Sequence, residues 1–372
     1  MQSHKLGKTG LDASIIGLGT EHLYGQPREA VVSVIGEAID RGINYFDIVF
    51  SLPQFLDNMA AALRGHRDHV LLTGHLGSTE KNGQYFKSRS PKQCETFFLD
   101  LLARLGTDHV DVLFLHNFNV IKEWDNITRP GGYLDLACRL RDEGRARSIG
   151  ISAHYVEIVN KAVASGLVDV VMFPINFFGH AMPGRRELQD LCVRHEVGLV
   201  AMKPFGGGRL LTQKGTFRVP KYQTAGDSFK TKITSEITPV QCLSYVLAQA
   251  GVSIALAGIK DNAQLAAALH LLDATEAERD FSHLVTSFGQ YVAGECVYCN
   301  HCLPCPAVID IAQVNRLLDA AQWGMSESLR LAYHLLPAKA SACTDCGACV
   351  ERCPFGVEVT SRMKEAVDLF EG

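Results

Sequence analysis

Eight times in its first 275 residues the chain repeats one pattern: a short run, β-branched and apolar on both faces, then an amphipathic stretch of helical length. The runs are SIIGLGT (14–20), YFDIV (45–49), VLLTGHL (70–76), VDVLFLHN (110–117), SIGISAH (148–154), VDVVMFPIN (168–176), GLVAMKPF (198–205) and SIALAGI (253–259). Strands apolar on both faces must be covered on both, which is the condition of a parallel sheet wrapped by helices. Eight consecutive units predict an α/β fold closed into a (β/α)8 TIM barrel over residues 1–275. The alternative, a doubly wound open sheet, ordinarily shows a G-x-G-x-x-G turn after its first strand, and none follows Thr20. HKLGKTGLDAS, ahead of the first run, reads as a short hairpin closing the barrel floor.

The remainder, 276–372, is dominated by cysteine. Four of the twelve cysteines stand alone (Cys94, Cys138, Cys192, Cys242) in helix-like segments and are expected to pack as small hydrophobes. The other eight form two quartets, each closed by proline: Cys296, Cys299, Cys302, Cys305, Pro306 and Cys343, Cys346, Cys349, Cys353, Pro354. The second has the C-x2-C-x2-C-x3-C-P spacing of bacterial ferredoxins, and the first is one residue shorter. Thiolates at i, i+3 and i+6 wrap three corners of a cubane, while the cysteine before proline reaches the other cluster. Two 4Fe–4S clusters are therefore expected, one on Cys296, Cys299, Cys302 and Cys353, the other on Cys343, Cys346, Cys349 and Cys305. Zinc, the main competitor for thiolate quartets, is usually held by two C-x2-C pairs. AVIDIAQVNRLLDAAQWGMSESLRLAYHLL, between the quartets, has helical periodicity. A small, mainly helical ferredoxin-like domain follows from it.

Composition narrows the partners. Hydrophobic residues make up 47% and charged residues 20% of the 372, as in a globular protein. A net charge of -4 offers no electrostatic case for nucleic acid or an anionic membrane. No window approaches 18 apolar residues, and MQSHKLGKTGLDAS lacks the apolar core of an export signal. The expected setting is the cytoplasm, where thiols stay reduced, with a small-molecule substrate and a redox partner protein.

In such a barrel the chemistry lies where the strands end. Those ends carry Glu21 and His22, Asp47, His75, His116 and Asn117, Ser152 and His154, Asn176 and Lys203. Four histidines from four strands predict a proton-handling or metal-binding mouth, so His22, His75, His116, His154 and Asp47 are the catalytic candidates. The long polar segment 208–239 reads either as a lid for an anionic ligand or as an exposed loop.

LGKTGLDASIIGLGT, AIDRGINYFD, LARLGTDHVDVLFLHN, GRARSIGISAH and AMKPFGGGRL follow one another in this order. Together they resemble the aldo-keto reductase superfamily over nearly the whole chain. CVYCNHCLPCP and CTDCGACVERCP resemble its branch with a C-terminal two-cluster domain. The resemblance implies NADPH-dependent carbonyl reduction by an Asp, a Tyr five positions later as proton donor, a Lys that lowers the Tyr pKa, and a His. Asp falls on Asp47 and His on His116. The Tyr position falls on Leu52 and the Lys position on Gly74, with His75 beside it. Tyr24, in the loop after the first strand, is a phenol that could swing over the mouth in its place. For the nucleotide, the resemblance points to Gly206, Gly207 and Gly208 and to Lys260, while the adenine-facing acidic and Asn positions fall on Ala263 and Ala268.

The expected function is that of an iron–sulfur oxidoreductase with a non-standard active site, acting on a small carbonyl or hydroxyl compound such as a sugar. Because clusters move single electrons and nicotinamide a hydride, a flavin is the cofactor that would bridge them. Two other readings stay open. One is a non-redox lyase or isomerase with structural clusters, and the other is an inactive electron-transfer or partner-binding subunit.

Overall fold

The computed structural model describes residues 1–118, 121–211, 215–220, 228–233, 236–288, 296, 302–303, 305–321, 325–353 and 357–372. Eight strands, β1 (Ile16–Gly19), β2 (Tyr45–Ile48), β3 (Leu71–Leu76), β4 (Val110–Leu115), β5 (Ala146–Ser152), β6 (Val170–Pro174), β7 (Gly198–Met202) and β8 (Val252–Gly258), form one closed barrel. Each pairs in parallel with the next, and β8 pairs with β1. Helices follow the strands on the outside, so the expected TIM barrel is the observed one.

The alternation of side chains explains why the strands read as apolar throughout. Tyr45, Val112, Phe114, Val170, Met172, Val200 and Ile254 point inward and form a core of their own. Phe46, Ile48, Leu72, Leu113, Ile149 and Ile151 point outward into the helix layer. The floor is closed by an antiparallel pair, Ser3–Lys5 with Asp12–Ser14, which sends Leu6, Leu11 and Ala13 into the inner core. Full burial of each such aliphatic or aromatic side chain contributes about 1.5–3 kcal/mol.

Local signals set the helix ends. Pro91–Leu105 starts with Ser90 as N-cap and Pro91 in its first turn, and stops at Gly106, whose φ is 64°. Pro239–Leu247 opens with a capping box made by Thr238 and Gln241.

One element interrupts the strand–helix alternation. Between β3 and helix Pro91–Leu105, residues Ser78–Lys81 and Gln84–Lys87 form an antiparallel hairpin. Its turn is Asn82-Gly83, with φ of 54° and 76°. Two successive positive φ values are what a type I′ turn requires, and Asn-Gly is the pair that adopts them most readily.

Past residue 275, Phe281 and Phe288 pack on the barrel against Phe177, Phe288 stacking at 5.4 Å between centroids. Beyond them the described residues are mainly helical: Ile311–Ala321, Glu327–His334, Ala348–Arg352 and Val359–Phe370. Phe370 stacks on Tyr333 at 4.3 Å, and Arg362 bonds Asp319 and Asn315 across two helices. Arg316 donates to the Ala248 carbonyl (2.7 Å) and Arg186 to that of Cys296 (3.3 Å), tying this unit to the barrel wall. A cleft of about 1440 Å³ separates the two, lined on one side by the floor residues Gln2, His4 and Ile15 and on the other by Cys305 and Val308. Of the segment 208–239, 215–220 and 228–233 pair as antiparallel strands. Residues 212–214, 221–227 and 234–235, on which the lid expectation depends, lie outside the described residues. Among the described residues no helix is long and apolar enough to cross a membrane.

Candidate functional site

The inward register of three neighbouring strands builds the site. Residues 45 and 47 of β2, 71, 73 and 75 of β3, and 112 and 114 of β4 share the inner face, and His116 continues that register just past β4. Asp47, His75 and His116 therefore cap the apolar interior at the mouth, where they are 5%, 3% and 6% exposed. His75 Nε2 lies 2.8 Å from Asp47 Oδ1, which also accepts from Thr73 Oγ1 at 2.5 Å. His75 Nδ1 lies 2.9 Å from His116 Nδ1, and the two rings meet edge-on. The other nitrogen of His116, Nε2, is 2.6 Å from the Tyr85 hydroxyl. Burial, reinforced by His75, holds the His116 pKa well below the usual imidazole value.

These contacts leave few proton arrangements. A carboxylate only accepts, so His75 Nε2 carries a hydrogen toward Asp47. With His75 neutral, its Nδ1 accepts from His116 Nδ1–H, and His116 Nε2 accepts from the Tyr85 hydroxyl. With His75 protonated, every bond after Asp47 reverses. The chain Asp47–His75–His116–Tyr85 thus has two complete hydrogen-bonded states differing by one proton, the charged one held as a buried His75–Asp47 ion pair.

The structure corrects two expectations. The Lys position had been carried onto Gly74, but a side chain there would point outward, its Cβ 3.3 Å from the Phe98 ring. The inward position is His75, which takes the carboxylate contact. Second, the four histidines do not form one cluster. His22 is exposed on the rim and lies across Gly258 at the end of β8, while His154 is near enough to help lower the His116 pKa and has its own lowered to about 4 by burial and Lys203. Of the four, His75 and His116 bond each other, and among the described residues of the mouth no three His, Asp or Glu side chains converge as a metal site. Asn176, at the end of β6, is taken up by the backbone: its amide donates to the Lys203 carbonyl (2.8 Å) and accepts from Gly179 N–H (3.2 Å).

Leu52 is 4% exposed and packs in the outer core. Tyr24 sits on the rim, its ring edge-on to Phe50 at 5.5 Å. The phenol that meets the histidines is Tyr85, which the sequence reading missed. Its signal was Asn82-Gly83 between alternating residues, an ordinary hairpin signature.

Gly206, Gly207 and Gly208 all have positive φ (58°, 70° and 85°), with open space beside the last two. Lys260 is exposed in the loop after the neighbouring strand β8, followed by Asp261, which caps helix Asn262–Leu269 through a 2.8 Å bond to Gln264 N–H. In the second unit Cys302, Cys305, Cys343, Cys346 and Cys349 line one small cavity, with Ile309, Ile311 and Met363 as apolar walls. Cys296 borders a separate cavity against the barrel, beside Arg186, Gln189 and Asp190. Cys299 lies outside the described residues, and Cys353 is partly buried against the core.

Residues 15–286 match the model of the aldo/keto reductase family, and residues 292–357 that of the 4Fe-4S dicluster domain. The uncharacterized oxidoreductase YqkF of Bacillus subtilis is 26% identical over 73% of this chain and 94% of its own length. The NADH-specific methylglyoxal reductase of Escherichia coli is 24% identical over 56% of this chain and 69% of its own. Aldo-keto reductase AKR11C1 from Bacillus halodurans, in its holo form, superposes with a TM-score of 0.61, covering 78% of this chain and 97% of that one at 21% identity. The chain belongs to the aldo/keto reductase family and joins that barrel to a 4Fe-4S dicluster domain.

Proposed function

We propose that the protein interconverts a small carbonyl compound and its alcohol at the barrel mouth, with a nicotinamide dinucleotide as the hydride carrier. The observation that carries this reading is the buried chain from Asp47 through His75 to His116. It can pass one proton between the buried Asp47–His75 pair and the mouth. The methylglyoxal reductase among the relatives supports the same class of reaction.

The residues present fit a dinucleotide. Three consecutive left-handed glycines leave backbone open to a pyrophosphate, and Lys260, one strand away, offers a cation to a phosphate. When bound, the nicotinamide supplies a hydride to the carbonyl carbon. Asp47 fixes the His75 ring and stabilises its cation. Thr73 holds the carboxylate in place, and the apolar layer of Phe114 and Met172 beneath keeps water from the relay. A cluster also fits, because five cysteines drawn from both quartets line one apolar-walled cavity. Cys305, Cys343, Cys346 and Cys349 would hold one 4Fe–4S cluster, and Cys296, Cys299, Cys302 and Cys353 the other. When bound, the clusters supply one-electron transfer.

The test is anaerobic oxidation of NADPH and of NADH by the iron-replete protein with methylglyoxal, glyceraldehyde and 4-nitrobenzaldehyde. Carbonyl-dependent oxidation is expected, with kcat falling roughly 100-fold in Asp47→Asn, in the range ascribed to general acid–base groups. No nucleotide binding and no carbonyl-dependent oxidation would refute the reading, and turnover without nucleotide would favour a lyase or isomerase.

A further inference from the structure

Resting on the carbonyl–alcohol reading, we propose that Tyr85, carried by the Asn82-Gly83 hairpin, is the catalytic proton donor that contacts the substrate oxygen.

Access singles it out. Asp47, His75 and His116 are each less than a tenth exposed, whereas Tyr85 is 38% exposed. It is the one member of the chain that meets both the buried relay and the open mouth. Position 52, five residues after Asp47, is closed into the core. Tyr24 leans on Phe50, while the Tyr85 hydroxyl is 2.6 Å from His116 Nε2.

The hairpin is braced so that this contact is fixed. The Tyr85 ring packs on Phe50 at 5.5 Å and meets the His116 ring edge-on at 5.8 Å. At the hairpin root, Arg89 donates to the His116 carbonyl (3.0 Å) and the Asn117 carbonyl (2.9 Å) and pairs with Glu123 at 3.1 Å. Its guanidinium also covers the Phe118 ring at 4.0 Å. One side chain thus locks the strand that carries Tyr85 to the loop that carries His116. The groups facing the phenol are His116, Asn117, Arg89 and Glu21. Burial outweighs Arg89 and the Asn117 bond and raises the Tyr85 pKa, so the phenol keeps its proton at neutral pH.

The proton count closes. In reduction, hydride from the reduced nicotinamide forms the new C–H bond, and the carbonyl π electrons move onto oxygen. That oxygen takes the Tyr85 proton. Tyr85 oxygen takes the proton on His116 Nε2, and His116 Nδ1 takes the one on His75 Nδ1. His75 is left neutral against the Asp47 carboxylate, the nicotinamide is oxidised, and one proton from solvent restores His75. Alcohol oxidation runs the same sequence backward.

The experiment is anaerobic steady-state kinetics of the cluster-loaded protein with NADPH or NADH and methylglyoxal, comparing wild type, Tyr85→Phe and Phe86→Leu. Phe86 is the hairpin neighbour on the opposite face and controls for disturbance of the hairpin. Tyr85→Phe is expected to lose roughly 100- to 1,000-fold in kcat with KM nearly unchanged, and Phe86→Leu to stay within about threefold of wild type. Installing 3-fluorotyrosine, a more acidic phenol, at position 85 is expected to move the basic limb of the kcat/KM profile to lower pH, because the relay titrates as a unit. An active wild type with Tyr85→Phe equally active, or with a KM effect only, overturns the proposal and leaves the carbonyl reading intact. A wild type inactive with every carbonyl and nucleotide overturns both.

Discussion

Acid should weaken the barrel mouth through His154, by an amount that follows from its surroundings. Burial and Lys203 lower its pKa from 6.5 to about 4. As pH falls below 6.5 the unfolded chain takes up a proton on this imidazole, whereas the folded one resists until about 4. The contribution is therefore whole above 6.5 and lost progressively between 6.5 and 4. Integrating the linkage relation between pH 8 and pH 5 gives about 2 kcal/mol, and partial exposure of the ring trims this toward roughly 1 kcal/mol. His116, displaced in the same direction, adds to the wild-type loss. The perturbation is His154→Asn, which keeps a polar side chain and removes the titration. The assay is anaerobic urea unfolding of both proteins at pH 8 and pH 5. Acid damage to the clusters falls equally on the two and cancels in the difference of differences. The variant should lose about 1–2 kcal/mol less than wild type on acidification. Equal losses would refute the argument, because His154 would then titrate alike in the folded and unfolded chains.

Gly150→Ala would place a Cβ 2.5 Å from the Phe114 ring and 3.1 Å from the Val170 carbonyl, inside a closed barrel. A loss of about 1–3 kcal/mol in thermal or urea unfolding is expected. Because Phe114 stacks on His75 at 5.2 Å, kcat should fall with it, and a variant of unchanged stability would contradict the packing. Arg89→Lys keeps the charge but cannot span two carbonyls with a planar fork, so kcat/KM should drop about tenfold, as far as in Arg89→Ala. Wild-type kinetics in Arg89→Lys would remove its bracing role. Cys305→Ala should lower bound iron and the reduced-cluster electron paramagnetic resonance signal by up to about half, since one of two clusters loses a ligand. Unchanged iron and signal would exclude Cys305 as a ligand.

Much of this was legible in the sequence because it is local. Strand runs such as VDVLFLHN and VDVVMFPIN carry their own evidence of two-sided burial, and eight of them leave little choice but a closed barrel. Asp47 and His116 are legible because each stands where its strand ends. Parity decided the rest. Carrying a lysine onto Gly74 set a residue of the outer face against the inner one, an error of one position that alternation turns into the opposite side of the sheet. His22 ends its strand as His75 and His116 do, yet a turn at Thr20–Leu23 carries it out to the exposed rim. Tyr85 is far from Asp47 in sequence and reaches the site only because a hairpin folds back over the mouth, a tertiary fact that strand-end reading does not test.

The cleft beside Cys305 opens next to the barrel floor, while Asp47, His75 and His116 open at the strands' other end. Between them stands the inner core of Tyr45, Phe114, Met172 and Ile254, plugged from below by Leu6 and Leu11. A barrel so filled is an insulating column, with the Asp47–His75–His116 chain at one pole and Cys305 of the cleft at the other.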